Sequence, residues 1–201
     1  MAGLWDWFKN GKSLLSSART EATFGIYSQT AKATGRTFAP DIHTYVLAQT
    51  AIKVKDLPGH SFNFNDQTLK YMEKSVEEGD GFFQLVSINQ AVGTGTVRLH
   101  DTHPHSPLII DPKYLEHPDD MRTLREGNKF SVNLVDETKA MQGIGAHLFR
   151  EPFPGCESLT FKSDAYFECI GRHGTTTAFK YCGTTMRTKD DPEAVVYSRF
   201  R

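Results

Sequence analysis

Four side chains able to ligate a metal, His100, Asp101, His103 and His105, fall within the short segment HDTHPHSP. Imidazole and carboxylate suit Zn²⁺, but a site also needs an element that holds its ligands at fixed distances. Pro104 and Pro107 make this segment an exposed turn, with no C-x-x-C spacing and no helical face. It reads as a solvated histidine-rich loop, and no metal site is expected. Gly93-Thr94-Gly95 opens like a dinucleotide fingerprint, yet the third glycine position is Arg98 and a strand pattern follows where a helix is required. No Walker-type phosphate loop is present either. Cys169, His173 and Cys182 combine thiol and imidazole, but the motif has no acid to orient the base, so they read as packing residues.

The elements that would position these groups follow from periodicity. Ala165–Arg172 and Thr175–Tyr181 are aromatic and β-branched runs on either side of His173-Gly174, which predicts a strand pair joined at that break. A turn follows at Gly183, and Asp190-Asp191-Pro192 forms another before Val195-Val196. Residues 1–38 read as an irregular arm with one short helix. Ile42–Val54 is a strand candidate ended by Leu57-Pro58-Gly59. Asn65–Glu78 is a helix with Leu69, Met72 and Val76 inward, capped by Asn65, ended by Gly79, and solvated along Lys70, Glu73, Lys74 and Glu77. Phe82–Ile88 reads as a central strand, with Thr94–Leu99 as its neighbour. A helix starts near Pro118, with Asp119-Asp120 at its positive end and Met121, Leu124 and Val135 inward. Thr138–Phe149 adds a third helix, with Met141, Ile144 and Leu148 on one face. Strands and helices without βαβ alternation predict an α+β fold, an antiparallel sheet covered by helices on one face.

The order of the C-terminal pieces resembles the last third of the glucose-methanol-choline (GMC) flavin oxidoreductases. The residues that carry this are Tyr166-Phe167-Glu168-Cys169 with Arg172, then Lys180-Tyr181-Cys182-Gly183-Thr184-Thr185, then Asp191-Pro192-Glu193-Ala194-Val195-Val196. Upstream, Asp111-Pro112-Lys113-Tyr114-Leu115, Gly95-Thr96-Val97-Arg98-Leu99 and Ala39-Pro40-Asp41-Ile42 are similar to further family segments, and Phe153-Pro154-Gly155-Cys156-Glu157 is similar to the arthropod glucose dehydrogenase-like branch. The resemblance implies a substrate-binding domain over residues 1–194, with residues 195–201 beginning a return to a Rossmann flavin domain that is absent from this sequence. It implies FAD as the family's cofactor, not expected to bind this chain alone, and a small alcohol or sugar as substrate.

The family's catalytic histidine, three residues before Gly-Thr, falls on Lys180, and the flanking Phe179 and Tyr181 are expected to line the substrate side. Lysine is a poor general base near neutral pH, because its ordinary pKa is about 10.4. Thr185-Met186-Arg187-Thr188 and Tyr197-Ser198 also depart from the family pattern. The reading is a substrate-binding part that is inactive alone; the alternatives are a non-catalytic binding module and a truncated gene product on the same scaffold. Removing the flavin half would expose the surface around Phe179, Tyr181 and Val195-Val196 and favour self-association.

Composition sets the remaining bounds. With 201 residues, 38% hydrophobic and 23% charged, the chain supports one ordinary globular core. A net charge of −1 and a pI near 6.7 provide no electrostatic footprint for nucleic acid or an anionic membrane. No apolar run reaches the ~20 residues of a membrane span, and Leu4-Trp5-Asp6-Trp7-Phe8 is too short for a signal-peptide core, so the chain as written stays in the cytosol. Three cysteines leave at least one unpaired. Buried free thiols are expected, with a Cys156–Cys169 bridge as the alternative in a secreted version.

Overall fold

A computed structural model describes residues 2–11, 20–49, 63–77, 81–183, 194–196 and 199. The N-terminal arm, expected to be irregular with one short helix, holds helices α1 (Ala2–Asn10) and α2 (Gln29–Ala33), and between them strand β1 (Thr20–Ile26), which was not expected. Ser28 caps α2, its hydroxyl accepting from the Ala31 N–H at 2.8 Å while donating to buried Asp41 at 2.5 Å. The Ser28 N–H also donates to Asp41, at 2.8 Å, so this one carboxylate ties the start of α2 to the entrance of β2 (Ile42–Gln49).

β1, β2 and β3 (Gly81–Ile88) form an antiparallel sheet in that order. β2 is therefore the central strand, and β3 lies at an edge where a central position was expected. The register pairs Thr44 with both Phe24 and Val86, so alternate residues Ile42, Thr44 and Val46 share one face with Phe24, Gln84 and Val86. Thr96–Arg98 (β4) does not join β3. It pairs with β5 (Ile109–Asp111) in a separate two-stranded sheet. The close approach that binds this hairpin sits at Gly95, where a Cβ would lie 2.3 Å from the Asp111 carbonyl oxygen.

Between the strands of the larger sheet, α3 (Asp66–Glu77) starts where Asn65 accepts from the Thr68 N–H at 2.9 Å, as its sequence indicated. Its packing is led by Tyr71, whose ring meets Phe149 and Phe153 at 5.2 and 5.1 Å. Lys74 pairs outside the helix, with Glu151. Gly79, the Leu57-Pro58-Gly59 stop and the side chain of Val76 lie outside the described residues.

α4 (Pro118–Glu137) is the longest element and begins with proline in the first turn and with Asp119 and Asp120 at its positive end. Met121, Leu124 and Val135 are buried as expected. Gly127 brings the helix onto the sheet, since a Cβ there would stand 2.6 Å from Val86 Cγ1 and 2.9 Å from Ile42 Cγ2. Phe130 of α4 meets Phe24 of β1 at 5.6 Å, which fixes the covered face of the sheet. The expected helix over Thr138–Phe149 shrinks to α5 (Lys139–Gly143), where Gly145 takes a positive φ of 70° soon after it and leaves Ile144 75% exposed.

The largest correction concerns Ala165–Arg172, which is not a strand. Asp164–Gly174 is helix α6, with the Ser163 hydroxyl accepting from the Tyr166 N–H at 3.1 Å, Asp164 in the first turn and Arg172 and His173 in the last. Those end charges suit the helix dipole. Tyr166, Phe167 and Gly171 are buried, and Gly171 approaches Leu124 and Met121 of α4. Thr175–Tyr181 forms no strand. The helix also turns Cys169 toward Cys156, and the two form a disulfide with Cα atoms 5.9 Å apart, in place of the expected free thiols. Cys182 is exposed and unbridged. The architecture is α+β: two antiparallel sheets, the larger covered on one face by α4, with α6 packed on α4.

Candidate functional site

Alternation along the strands sends Thr23, His43, Tyr45, Leu85 and Ser87 to the face of the sheet turned away from α4. His43 and Tyr45 stack there, ring centroids 4.5 Å apart at 15°. Leu85 beside them is 41% exposed. A stacked aromatic pair next to an aliphatic side chain, with imidazole, phenol and serine hydroxyl within the same surface, offers apolar contact and hydrogen-bonding groups to a small ligand. Strand alternation in Ile42-His43-Thr44-Tyr45 carried the signal for this face, because two polar aromatics two residues apart must point the same way.

The residues singled out by position in the sequence lie elsewhere. Phe179, Lys180 and Tyr181 sit consecutively on an irregular strip beyond α6. All three are exposed, Phe179 at 50% and Tyr181 at 75%. Phe179 has a φ of 57°, and its N–H donates to Thr177 Oγ1 at 3.0 Å. Phe179 and Tyr181 therefore form no apolar wall burying Lys180, whose head is in solvent. The strip and the His43–Tyr45 pair are carried by different elements, and the departures at Thr185–Thr188 and Tyr197-Ser198 lie outside the described residues.

Around the N-terminal half of α4 runs a charged groove of about 330 Å³, lined by Leu115, Met121, Arg122, Arg125, Glu168 and Arg172. Its cations are largely matched. Arg125 reaches Glu168 at 2.6 Å and Asp164 at 3.4 Å, and Arg122 reaches Asp119 at 2.9 Å. The hydrogen bond from Lys129, with Arg125 beyond it, holds the Asp164 carboxyl below its ordinary range. The Arg125 and Lys129 pairs join α4 to α6, and the motif residue Glu168 acts within that joint.

The histidine loop is organised by Asp101. Its carboxylate meets the His100 ring at 3.1 Å and accepts from the His103 N–H at 2.7 Å and the Ser106 hydroxyl at 2.9 Å, and these bonds lower its pKa. Among the described residues no three His, Cys, Asp or Glu side chains converge as a metal centre would require. Gly93-Thr94-Gly95 is likewise committed to internal contacts. The N–H groups of Val92 and Gly93 donate to Asp120 at 2.7 and 2.8 Å, and Gly95 is pressed against Asp111. Backbone donors spent on a carboxylate cannot cradle a pyrophosphate. The residues of this segment do not fit FAD.

No helix among the described residues is long and apolar enough to cross a membrane. Residues 91–201 match the family model for the C-terminal part of GMC oxidoreductase. The chain is similar to "Glucose dehydrogenase [FAD, quinone]" of Drosophila melanogaster, 36% identical over 108 residues that make up 53% of this chain and 17% of the relative. It is also similar to "Oxidoreductase cicC" of Emericella nidulans, 30% identical over 148 residues (72% of this chain, 23% of the relative), and to "Alcohol dehydrogenase [acceptor]" of Pseudomonas putida, 28% identical over 142 residues (71% and 24%). It thus spans less than a quarter of the length of these relatives.

Proposed function

The chain belongs to the GMC oxidoreductase family, and from that premise we propose that it is the substrate-binding part of an FAD-dependent oxidoreductase acting on CH–OH donors. The observation that carries the reading is the face of the larger sheet left uncovered by α4, with its stacked His43 and Tyr45. On this reading residues 1–194 are the substrate domain, residues 195–201 lead toward the flavin-binding part, and the substrate is a small alcohol or sugar. When bound, the flavin supplies the hydride acceptor. The residues of this chain hold the carbon skeleton against the aromatic pair and fix its hydroxyl groups.

The binding and chemical roles separate at Lys180. Lys180 is exposed on a strip carried by a different element from the His43–Tyr45 pair, so on this reading the chain orients substrate and supplies no base at that position. That same exposure supports a second reading, a binding module that keeps the scaffold and has lost the chemistry. On the first reading, Phe179 and Tyr181 belong to a surface that the flavin-bearing part covers.

Incubation with FAD followed by gel filtration tests the assignment. The chain is expected to elute without flavin absorbance, and neither it nor Lys180→His is expected to reduce an artificial electron acceptor with glucose, choline or an aryl alcohol. Stoichiometric flavin on the chain, or dye reduction by Lys180→His above that of the unsubstituted protein, would overturn it.

A further inference from the structure

Three buried side-chain atoms have no hydrogen-bond partner among the described residues: Thr44 Oγ1, Gln84 Oε1 and Ser131 Oγ. They come from β2, β3 and α4, and their residues lie along one helix–sheet seam. Thr44 opposes Val86, and Gln84 lies two residues along β3 from Val86, so both point to the covered face of the sheet as diagonal neighbours. Val86 and Ile42 pack over Gly127 of α4, and Ser131 lies one helical turn beyond Gly127 on the same side. The Gln84 amide spans the seam and donates from Nε2 to the Ser131 carbonyl oxygen at 3.2 Å. That bond fixes the amide plane, so Oε1 is held at the same seam. Thr44 is 0% exposed and Ser131 5%.

An unpartnered polar atom in such a seam is costly, and three along one helix–sheet joint call for a partner. The donor and acceptor inventory states what would relieve it. Gln84 Oε1 only accepts, whereas each hydroxyl donates once and accepts twice. A ligand that donates to the amide oxygen and exchanges one bond with each hydroxyl satisfies all three, and buried waters typically make about three such bonds. Elsewhere the seam is sealed by direct contact, Gly127 against Val86 and Ile42, and Phe130 against Phe24.

We infer that a single water molecule is bound in the seam between β2, β3 and α4, held by Thr44 Oγ1, Gln84 Oε1 and Ser131 Oγ. It completes the polar layer at the back of the sheet whose other face carries His43 and Tyr45, and it fixes the register of α4 on that sheet. The inference stands apart from the assignment of function, since it uses only the covered face.

Oxygen-17 relaxation dispersion on the full chain tests this, because it reports long-lived water and is blind to exchanging hydroxyl protons. The unsubstituted protein is expected to show long-lived internal water, Thr44→Ser to retain it, and Thr44→Val with Ser131→Ala to lose the contribution of one molecule. A folded double variant with an unchanged dispersion amplitude would overturn the inference. So would the absence of any dispersion from the unsubstituted protein, which needs no variant to fold.

Discussion

Tyr71 shows how one side chain's surroundings set a measurable property of the whole. Burial pushes its phenol well above the ordinary value of 10, with Tyr166 and Glu151 adding to the effect, because phenolate would sit among Phe149, Phe153 and Tyr166. Tyr166 shifts in the same direction, again chiefly by burial, against the hydrogen bond it accepts from the Phe153 N–H. A phenol whose folded pKa is raised contributes stability that is complete below the unfolded value near 10 and is lost as pH rises above it, since unfolding then releases a proton. Thermal unfolding followed from pH 9 to 11.5 should show a Tm that falls above about pH 10, and Tyr71→Phe should fall less steeply over the same range. Equal slopes for the two proteins would contradict the assignment. Opposite signs hold for Asp101, Glu157 and Asp164, whose lowered pKa values contribute stability that fades as the solution is acidified.

At the scale of elements, the disulfide and α6 are one feature. Cys169 can reach Cys156 because the Ser163 cap starts a helix whose turns bury Tyr166 and Phe167 and place the thiol beside the Phe153–Cys156 turn. The bridge spans 13 positions, and for a loop near that length the chain-entropy account gives about 3 kcal/mol of stabilisation. Denaturation of the oxidised protein and of the Cys156→Ser, Cys169→Ser pair should differ by about 2–4 kcal/mol, and a difference below about 1 kcal/mol would mean the turn is held by its other contacts. This element was also the one least legible in the sequence. Aromatic and β-branched residues favour strands, and that weight hid the Ser-Asp start and the spacing that puts Phe167, Ile170 and Gly171 on one side. Where a start signal and the helical period coincided, as in α3 and α4, the element was readable. β3 and β4 show a different limit. Their approximate extents could be seen, but which strands pair depends on contacts far apart in the chain, such as Gly95 against Asp111. Motif order singles out Lys180, which lies on another element, whereas the His43–Tyr45 stack required knowing which face α4 covers.

For the molecule as a whole, the balance of charge and exposed apolar surface governs behaviour in solution. Phe179, Tyr181 and Val195 are 50%, 75% and 66% exposed, and Val97, Leu99 and Ile110 of the β4–β5 hairpin region are 59%, 76% and 64% exposed. Apolar area left in water costs about 25 cal/mol per Å², and a net charge of −1 offers little repulsion against association. Sedimentation at tens of micromolar (about the range in which weak patches pair) should reveal self-association that Phe179→Ser with Val195→Asp reduces. A clean monomer, unchanged by these substitutions, would remove the idea. The central claim, that this chain holds substrate on the uncovered face of its larger sheet, is tested most directly by amide chemical-shift mapping during titration with D-glucose and with a short primary alcohol. The account predicts saturable shifts at Thr23, His43, Tyr45, Leu85 and Ser87, abolished by Tyr45→Ala in a protein that keeps its fold. Saturable shifts confined to the α4 groove or the Asp101 loop, or their persistence in Tyr45→Ala, would contradict it.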